Sequence, residues 1–133
     1  QSLITKNKLE EFPMPYVDGF IVPLPTRNLK AYRAMAKKAG KVWREHGAID
    51  YKECIADDVK MGKWTSFPRS VKMKKNETVV FSWIEYPSKE IRDAAKKKML
   101  EDPRMKELGD AMKFLDGKRM IFGGFLPILD KHA

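Results

Sequence analysis

The sequence predicts an α+β fold of the ferredoxin-like type, with the element order β-α-β-β-α-β. Two short apolar and aromatic runs that contain glycine, 16–23 and 119–125, lie near opposite ends of the chain, and each is marked by an Asp-Gly pair. Stretches of helical spacing and of strand alternation follow one another between these runs. A chain of 133 residues with 43% hydrophobic residues suits one domain with a sizeable core.

The first strand is predicted over about 16–22, because Pro23 and Pro25 lack the amide hydrogen that strand pairing requires. A helix then begins after Thr26 or Asn28, which are both good N-terminal caps, and ends before a glycine. Its apolar positions recur every three or four residues and form one stripe: Leu29, Tyr32, Ala36, Ala39, Trp43 and His46.

The second strand is predicted over about 48–56, with Tyr51 and Glu53 on one face and Cys54 on the other. The connection that follows, 57 to about 76, is long for a structureless loop. We therefore expect part of this connection to be ordered.

The third strand, 78–86, is the clearest, because β-branched and aromatic residues recur over its whole length. A second helix begins after Ser88, and Asp102 followed by proline ends it and caps a further helical piece. The Asp-Gly turn at 116–117 leads into a fourth strand over 119 to about 126. In the resulting arrangement the first and fourth strands are antiparallel neighbours.

A single helical layer covers only one face of a four-stranded sheet. The third strand carries apolar residues on both sides, so its second face also needs a cover. A second copy of the chain is the simplest cover, which predicts a homodimer. Residues 1–13 lack sustained periodicity, so we expect an N-terminal extension, upstream of the domain or added to it, before one domain at 14–133.

The formal net charge of +9 raises nucleic acid as a partner. Basic residues concentrate on the first helical segment: Arg27, Lys30, Arg33, Lys37, Lys38, Lys41 and Arg44. They lie between the apolar positions, so solvation of the outer helix face explains them without nucleic acid. The single cysteine excludes an intramolecular disulfide and favours the cytoplasm, and no apolar run approaches the roughly 20 residues of a membrane span.

His46 is the first candidate catalytic residue, because it ends the apolar stripe and could act as an acid or base in a pocket against the sheet. Cys54 is the second, since the turn after the helix could bring it to His46 as a Cys–His pair. The structural alternatives are a histidine stabilised by the helix dipole and a buried core thiol. Metal-binding spacings such as Cys-x-x-Cys are absent from the sequence, so neither a metal nor a cofactor is predicted.

A pocket between helices and sheet would be lined by aromatic side chains at helix and strand positions: Trp43, Tyr51, Trp83, Tyr86 and Phe122. Packing in the core is the alternative role for each. Asp18 and Arg119, on the first and last strands, are also pocket candidates, and we expect them to form an ion pair.

Five blocks of the sequence, in order, resemble the bacterial family 1428 of domains of unknown function: 15–20, 40–48, 65–68, 80–84 and 116–125. The resemblance runs from about residue 14 to the C-terminus. It implies a dimeric α/β barrel, a ferredoxin-like dimer related to small antibiotic-biosynthesis monooxygenases. It implies no established activity and transfers no catalytic residues.

For function, the residues favour a small-molecule pocket, used for binding or for cofactor-free oxygenase or isomerase chemistry. The sequence contains no catalytic motif, so whether the protein is an enzyme stays open. The alternatives are RNA binding, because the RNA-recognition motif shares this fold, and a dimeric protein-interaction module without a small ligand.

Overall fold

The computed structural model describes residues 15–130, so the predicted extension at 1–13 lies outside the described residues. Four strands of this part form one antiparallel sheet: β1 (Tyr16–Pro25), β2 (Asp50–Ile55), β3 (Glu77–Tyr86) and β4 (Ile121–Phe125). Their order across the sheet is β2–β3–β1–β4. The helices between them are α1 (Leu29–Glu45), α2 (Phe67–Ser70), α3 (Lys89–Glu101) and α4 (Pro103–Ala111). This is the ferredoxin-like α+β fold that the order of elements predicts.

The predicted pairing of the first and last strands is confirmed, with Gly19 opposite Gly123 and Phe20 opposite Phe122. The predicted end of β1 is wrong, because the strand continues through Pro23 to Pro25. β4 pairs with β1 only as far as Ile21. Beyond that residue, no strand within residues 15–130 pairs with this edge of β1, and an unpaired edge tolerates proline.

Side-chain caps begin α3 and α4 where the sequence predicts them. The hydroxyl of Ser88 accepts a hydrogen bond from the amide of Ile91 at 3.2 Å. The carboxylate of Asp102 accepts one from the amide of Arg104 at 3.0 Å. Each cap satisfies a backbone N–H that has no partner within its helix.

The long connection between β2 and β3 is ordered in part, as expected, and contains α2. Ser66 caps this helix by accepting a hydrogen bond from the amide of Arg69 at 3.1 Å. The guanidinium of Arg69 donates to the carbonyl of Gly62 at 2.9 Å, which ties the preceding loop to the helix. The ring of Phe67 packs edge-on against Phe81 of β3, with 5.9 Å between the ring centroids.

The core lies between the sheet and the longer helices and has two parts. One is formed by Val22, Leu24, Tyr32, Val80 and Met112. The other is formed by Ala48, Ile84, Tyr86 and Ala95. Phe20, near the middle of β1, packs against both parts and joins them.

The opposite face of the sheet is apolar and largely exposed. Phe81, Ile121 and Phe125 are 43%, 42% and 63% exposed. A shallow groove of about 350 Å³ crosses this face between β3, β1 and β4, and Trp83 lines it together with Phe81 and Phe125. The helix α2 lies against one edge of this surface through Phe67. We call this surface the open face.

The predicted ion pair between Asp18 and Arg119 is wrong. Asp18 faces the helices, and its two carboxylate oxygens accept hydrogen bonds from Arg92 of α3 at 2.9 and 3.1 Å. Gly124 lies opposite Asp18 in β4. A Cβ atom at Gly124 would lie 2.6 Å from the Arg92 guanidinium, so the missing side chain makes room for this pair.

Arg119 lies in the turn before β4 and has other partners. It donates to Glu77 at 2.7 and 2.8 Å and to Asp116 at 2.8 Å. The hydrogen bonds from Arg119 hold the pKa of both carboxyl groups below their usual range. These contacts hold Arg119 in the turn, and β4 begins at Ile121, two residues later than predicted.

Replacing Arg92 with methionine is expected to lower the free energy of unfolding by about 3–5 kcal/mol, because it leaves the buried carboxylate of Asp18 without its partner. The matched control is Glu45→Gln, which weakens a pair with Arg104 whose side chains are 49% and 42% exposed. That control should cost much less, because solvent screens an exposed ion pair. Urea denaturation at one protein concentration compares the two, and equal losses would contradict the prediction.

Candidate functional site

A cleft of about 570 Å³ lies between α1 and β2 and opens to solvent. Residues of both elements line it: Lys30, Arg33, Ala34, Ala36, Lys37, Gly40, Arg44, Tyr51 and Glu53. β2 is the outermost strand on its side of the sheet. The cleft therefore lies at the margin of the helix–sheet interface, where partly buried side chains stay accessible.

The floor of the cleft holds a carboxyl group between two tyrosine hydroxyls. Tyr32 of α1 donates a hydrogen bond to one oxygen of Glu53 at 2.7 Å, and Tyr51 donates to the other oxygen. Tyr32 is buried, whereas Tyr51 and Glu53 are partly buried and line the cleft. Tyr51 and Glu53 project from the same side of β2, because side chains two apart on a strand share a face.

The protonation of this cluster follows from its burial. Burial raises the pKa of the Glu53 carboxyl, although hydrogen bonds from Tyr51, Tyr32 and Ser82 act in the opposite direction. Ser82 lies directly opposite Glu53 in the pairing of β2 with β3. Burial, reinforced by the carboxylate, also raises the pKa of both tyrosine hydroxyls. Both tyrosines therefore remain protonated donors at neutral pH.

A glycine within α1 makes room for one of these tyrosines. A Cβ atom at Gly40 would lie 2.5 Å from the ring of Tyr51. Glycine costs about 1 kcal/mol relative to alanine inside a helix. The close approach of the Tyr51 ring gives a physical reason for accepting that cost.

The rim of the cleft is positively charged. Four exposed basic side chains of α1 line it: Lys30, Arg33, Lys37 and Arg44. The sequence predicts only solvation for the basic residues of this helix, but these four line one side of a cleft. Their field favours an anion in the cleft.

His46 does not line this cleft. Its Nε2 lies 3.1 Å from a carboxylate oxygen of Asp102, the residue between α3 and α4. Arg104 binds Asp102 at 2.9 Å and Glu45 at 3.0 Å. Hydrogen bonds from Arg104 and then from His46 hold the pKa of Asp102 well below its usual range. His46 thus joins the end of α1 to the α3–α4 junction.

Cys54 lies apart from His46. It pairs with Phe81 in the β2–β3 register and is exposed, so it belongs to the open face. The helices pack on the other face, where His46 contacts Asp102. The predicted Cys–His pair is therefore wrong, and Cys54 is not the buried core thiol that was its alternative.

The structure separates the other predicted pocket residues. Trp43 and Tyr86 pack edge to face in the core, with 6.1 Å between their ring centroids. Phe122 stacks on a core phenylalanine of β1. Trp83 lines the groove of the open face. Of these predicted aromatic residues, Tyr51 is the one that lines the cleft.

Tyr32, Glu53 and Gly40 complete the site, although the sequence pattern predicts none of them as pocket residues. Three signals were available in the sequence. Glu53 shares a strand face with Tyr51, Tyr32 belongs to the buried stripe of the helix, and Gly40 interrupts that helix. These signals do not indicate that the three positions meet, because their contact depends on how α1 crosses β2.

Two further properties concern residues 15–130 alone. In this range no three side chains of His, Cys, Asp or Glu form a group that could hold a metal ion. No helix there has the length and apolar character needed to cross a membrane.

The family of the chain follows from comparison with known proteins. Residues 15–117 match the family model described as "Protein of unknown function (DUF1428)". The chain belongs to this family. It is 58% identical over 118 residues to the uncharacterized protein YbaA of Escherichia coli strain K12, a match that covers 89% of this chain and 100% of that protein. The resemblance predicted from the five sequence blocks is confirmed.

Solved structures with the same fold are much more distant in sequence. A dimeric ferredoxin-like protein from an uncultured marine organism has a TM-score of 0.62 at 7% identity, covering 88% of this chain and 98% of its own. The protein Rv0793 of Mycobacterium tuberculosis has a TM-score of 0.56 at 14% identity, with the same coverage of 88% and 98%. At these identities the likeness shows the fold alone.

Replacing Gly40 with alanine is expected to lower the free energy of unfolding by about 1–3 kcal/mol, because the added methyl group displaces the Tyr51 ring. Gly109→Ala in α4 is the matched control, since a Cβ there meets nothing within 4 Å. That control should raise stability by up to about 1 kcal/mol through helix propensity. Urea denaturation measures both changes, and a stabilising Gly40→Ala would contradict the close approach of Tyr51.

Proposed function

We propose that the protein is a homodimer that binds a small anionic molecule in the cleft between α1 and β2. The observation that carries this proposal is the Glu53 carboxyl, held between the hydroxyls of Tyr32 and Tyr51 beneath a rim of four cations. Hydrogen-bonding groups that converge at the floor of a concave site are typical of ligand pockets. The bacterial relative YbaA is itself uncharacterized and contributes no ligand.

The size and lining of the cleft define the ligand class. A volume of about 570 Å³ suits a small organic molecule. The rim offers charged donors from Arg33, Lys37 and Arg44, which suit carboxylate or phosphate groups. The ring of Tyr51 and the side chains of Ala34 and Ala36 supply an apolar wall. We therefore propose a small organic acid, with its carboxylate at the rim and its carbon skeleton along that wall.

Charge variants of α1 test the site. The double variant Arg33→Gln/Lys37→Gln removes two rim charges and is expected to weaken binding of pyruvate, phenylpyruvate or succinate at least tenfold, measured by isothermal titration calorimetry. The matched control is Lys38→Gln/Lys41→Gln, which removes the same charge from the same helix outside the cleft lining. Equal weakening in both variants would indicate a general field and not this site. No binding of these acids or of inorganic phosphate to the unaltered protein would overturn the proposal.

The proposed dimer uses the open face. This face is apolar, and Phe125, which lines its groove from the edge strand β4, is 63% exposed. The marine protein of the same fold is described as dimeric, which supports a second copy as the cover. A stable interface of this kind buries at least roughly 1,200 Å² in total.

Phe125→Asp is expected to convert the dimer to a monomer, because it places a charge in the groove of the apolar open face. Leu100→Asp is the control, since Leu100 on α3 is equally apolar, is 89% exposed and lies outside the open face. Light scattering at micromolar concentration measures the mass of each. A monomeric unaltered protein, or a dimeric Phe125→Asp variant, would contradict the open face as the interface.

Two observations argue against RNA binding as the alternative function. Arg119, a basic side chain next to β4, is engaged by Glu77 and Asp116. Four of the basic residues of α1 line the cleft and face a concave site. An interaction module without a small ligand leaves the buried carboxyl and its two tyrosines without a role.

We place the protein in the cytoplasm because a lone exposed cysteine suits a reducing compartment.

A further inference from the structure

Glu53 is the acidic side chain among the residues that line the cleft. Its neighbours on the edge strand, Lys52 and Cys54, are exposed and point away from α1. Glu53 instead turns towards the helix, where its two oxygens meet two hydroxyls from different elements. A carboxyl held in this way has a fixed position and direction relative to a molecule in the cleft.

We infer that Glu53 is a catalytic acid–base residue that moves a proton on a carbonyl-containing organic acid bound in the cleft. This inference rests on the proposed function, because it needs the substrate anion to be held by the cationic rim. It replaces His46, whose ring is engaged by Asp102, as the group that carries acid–base chemistry.

The surroundings of Glu53 suit proton transfer because they act on its protonation in opposite directions. Burial favours the neutral acid, whereas hydroxyls from three elements favour the carboxylate: Tyr32 of α1, Tyr51 of β2 and Ser82 of β3. The rim cations of α1, Arg33, Lys37 and Arg44, also face the cleft and favour negative charge. Both protonation states are thus supported, as a group that accepts and returns a proton requires.

The reaction is a proton shift without oxidation or reduction. The Glu53 carboxylate takes a proton from the carbon next to the substrate carbonyl, and the electrons of the broken C–H bond form a carbon–carbon double bond. The carbonyl π electrons move to oxygen and give an enolate. Protonation makes Glu53 a poorer acceptor, so the Tyr51 hydroxyl donates to the enolate oxygen. Glu53 then returns the proton to the same carbon, and the electrons on the enolate oxygen re-form the carbonyl.

Hydrogen–deuterium exchange tests this step directly. Pyruvate and phenylpyruvate are incubated with the protein in deuterated water, and proton NMR follows loss of the hydrogens next to the carbonyl. We expect the protein to accelerate exchange over buffer, and Glu53→Gln to reduce the acceleration by about 10²-fold or more. Glu45→Gln, an exposed acid of the same helix layer, is the control and should leave the rate unchanged.

The dependence of the exchange rate on pH separates a catalytic role from a structural one. The rate should rise with pH as Glu53 loses its proton, at a pH above the usual titration range of glutamate, since burial raises its pKa. Tyr51→Phe removes a hydrogen bond that favours the carboxylate, so this rise should move to higher pH. Tyr32→Phe should move it in the same direction. If Glu53→Gln does not fold, the shift in these two variants decides the question.

The outcomes for the two proposals are distinct. If an acid binds by calorimetry but its exchange is no faster than in buffer, or is unaffected by Glu53→Gln, the catalytic role is overturned and the binding site stands. If Tyr51→Phe and Tyr32→Phe leave the pH dependence unchanged, the catalytic role is likewise overturned. If none of the tested acids binds the unaltered protein, the proposed function fails, and the inference fails with it.

Discussion

The register of β3 against its two neighbours is the constraint on which both faces of the protein depend. It aligns one row of side chains across the sheet on the helix side: Glu53, Ser82, Phe20 and Phe122. The adjacent row lies on the open face: Cys54, Phe81, Ile21 and Ile121. Because side chains alternate along a strand, a shift of one strand by one residue would turn its side chains to the other face. A shift of β2 would take Glu53 out of the cleft, and a shift of β1 would take Phe20 out of the core.

The basic side chains of the protein have two different roles. Arg92, Arg104 and Arg119 each bind carboxylates and tie together parts of the chain that are distant in sequence. The pair formed by Arg92 connects α3 to the central strand β1 through Asp18. The basic residues at the rim of the cleft are exposed and supply a positive field there. Net charge alone therefore says little about the partner, since the position of each cation decides its role.

The match to the family and the similarity to solved structures support different conclusions. Identity of 58% over 118 residues to the Escherichia coli protein YbaA places the chain within a family whose function is unknown. The solved structures share the architecture at 7% and 14% identity, at which side chains in a cleft are not transferable. The Glu53–Tyr32–Tyr51 cluster is defined by this chain's own contacts. Its chemistry is a property of three side chains and not of the fold.

The sequence by itself determined the order of elements, the helix caps at Ser88 and Asp102, and the neighbouring positions of the first and last strands. These features depend on local spacing, local hydrogen bonds and a short list of allowed topologies, all of which can be inferred from nearby residues. The tertiary structure alone decided the long-range partners. Asp18 binds Arg92 and not Arg119, and His46 binds Asp102 and not Cys54. Glu53 meets Tyr32 across 21 positions of the chain. Such contacts depend on the angle at which helices cross the sheet and on the space left by Gly40 and Gly124, which local patterns do not specify.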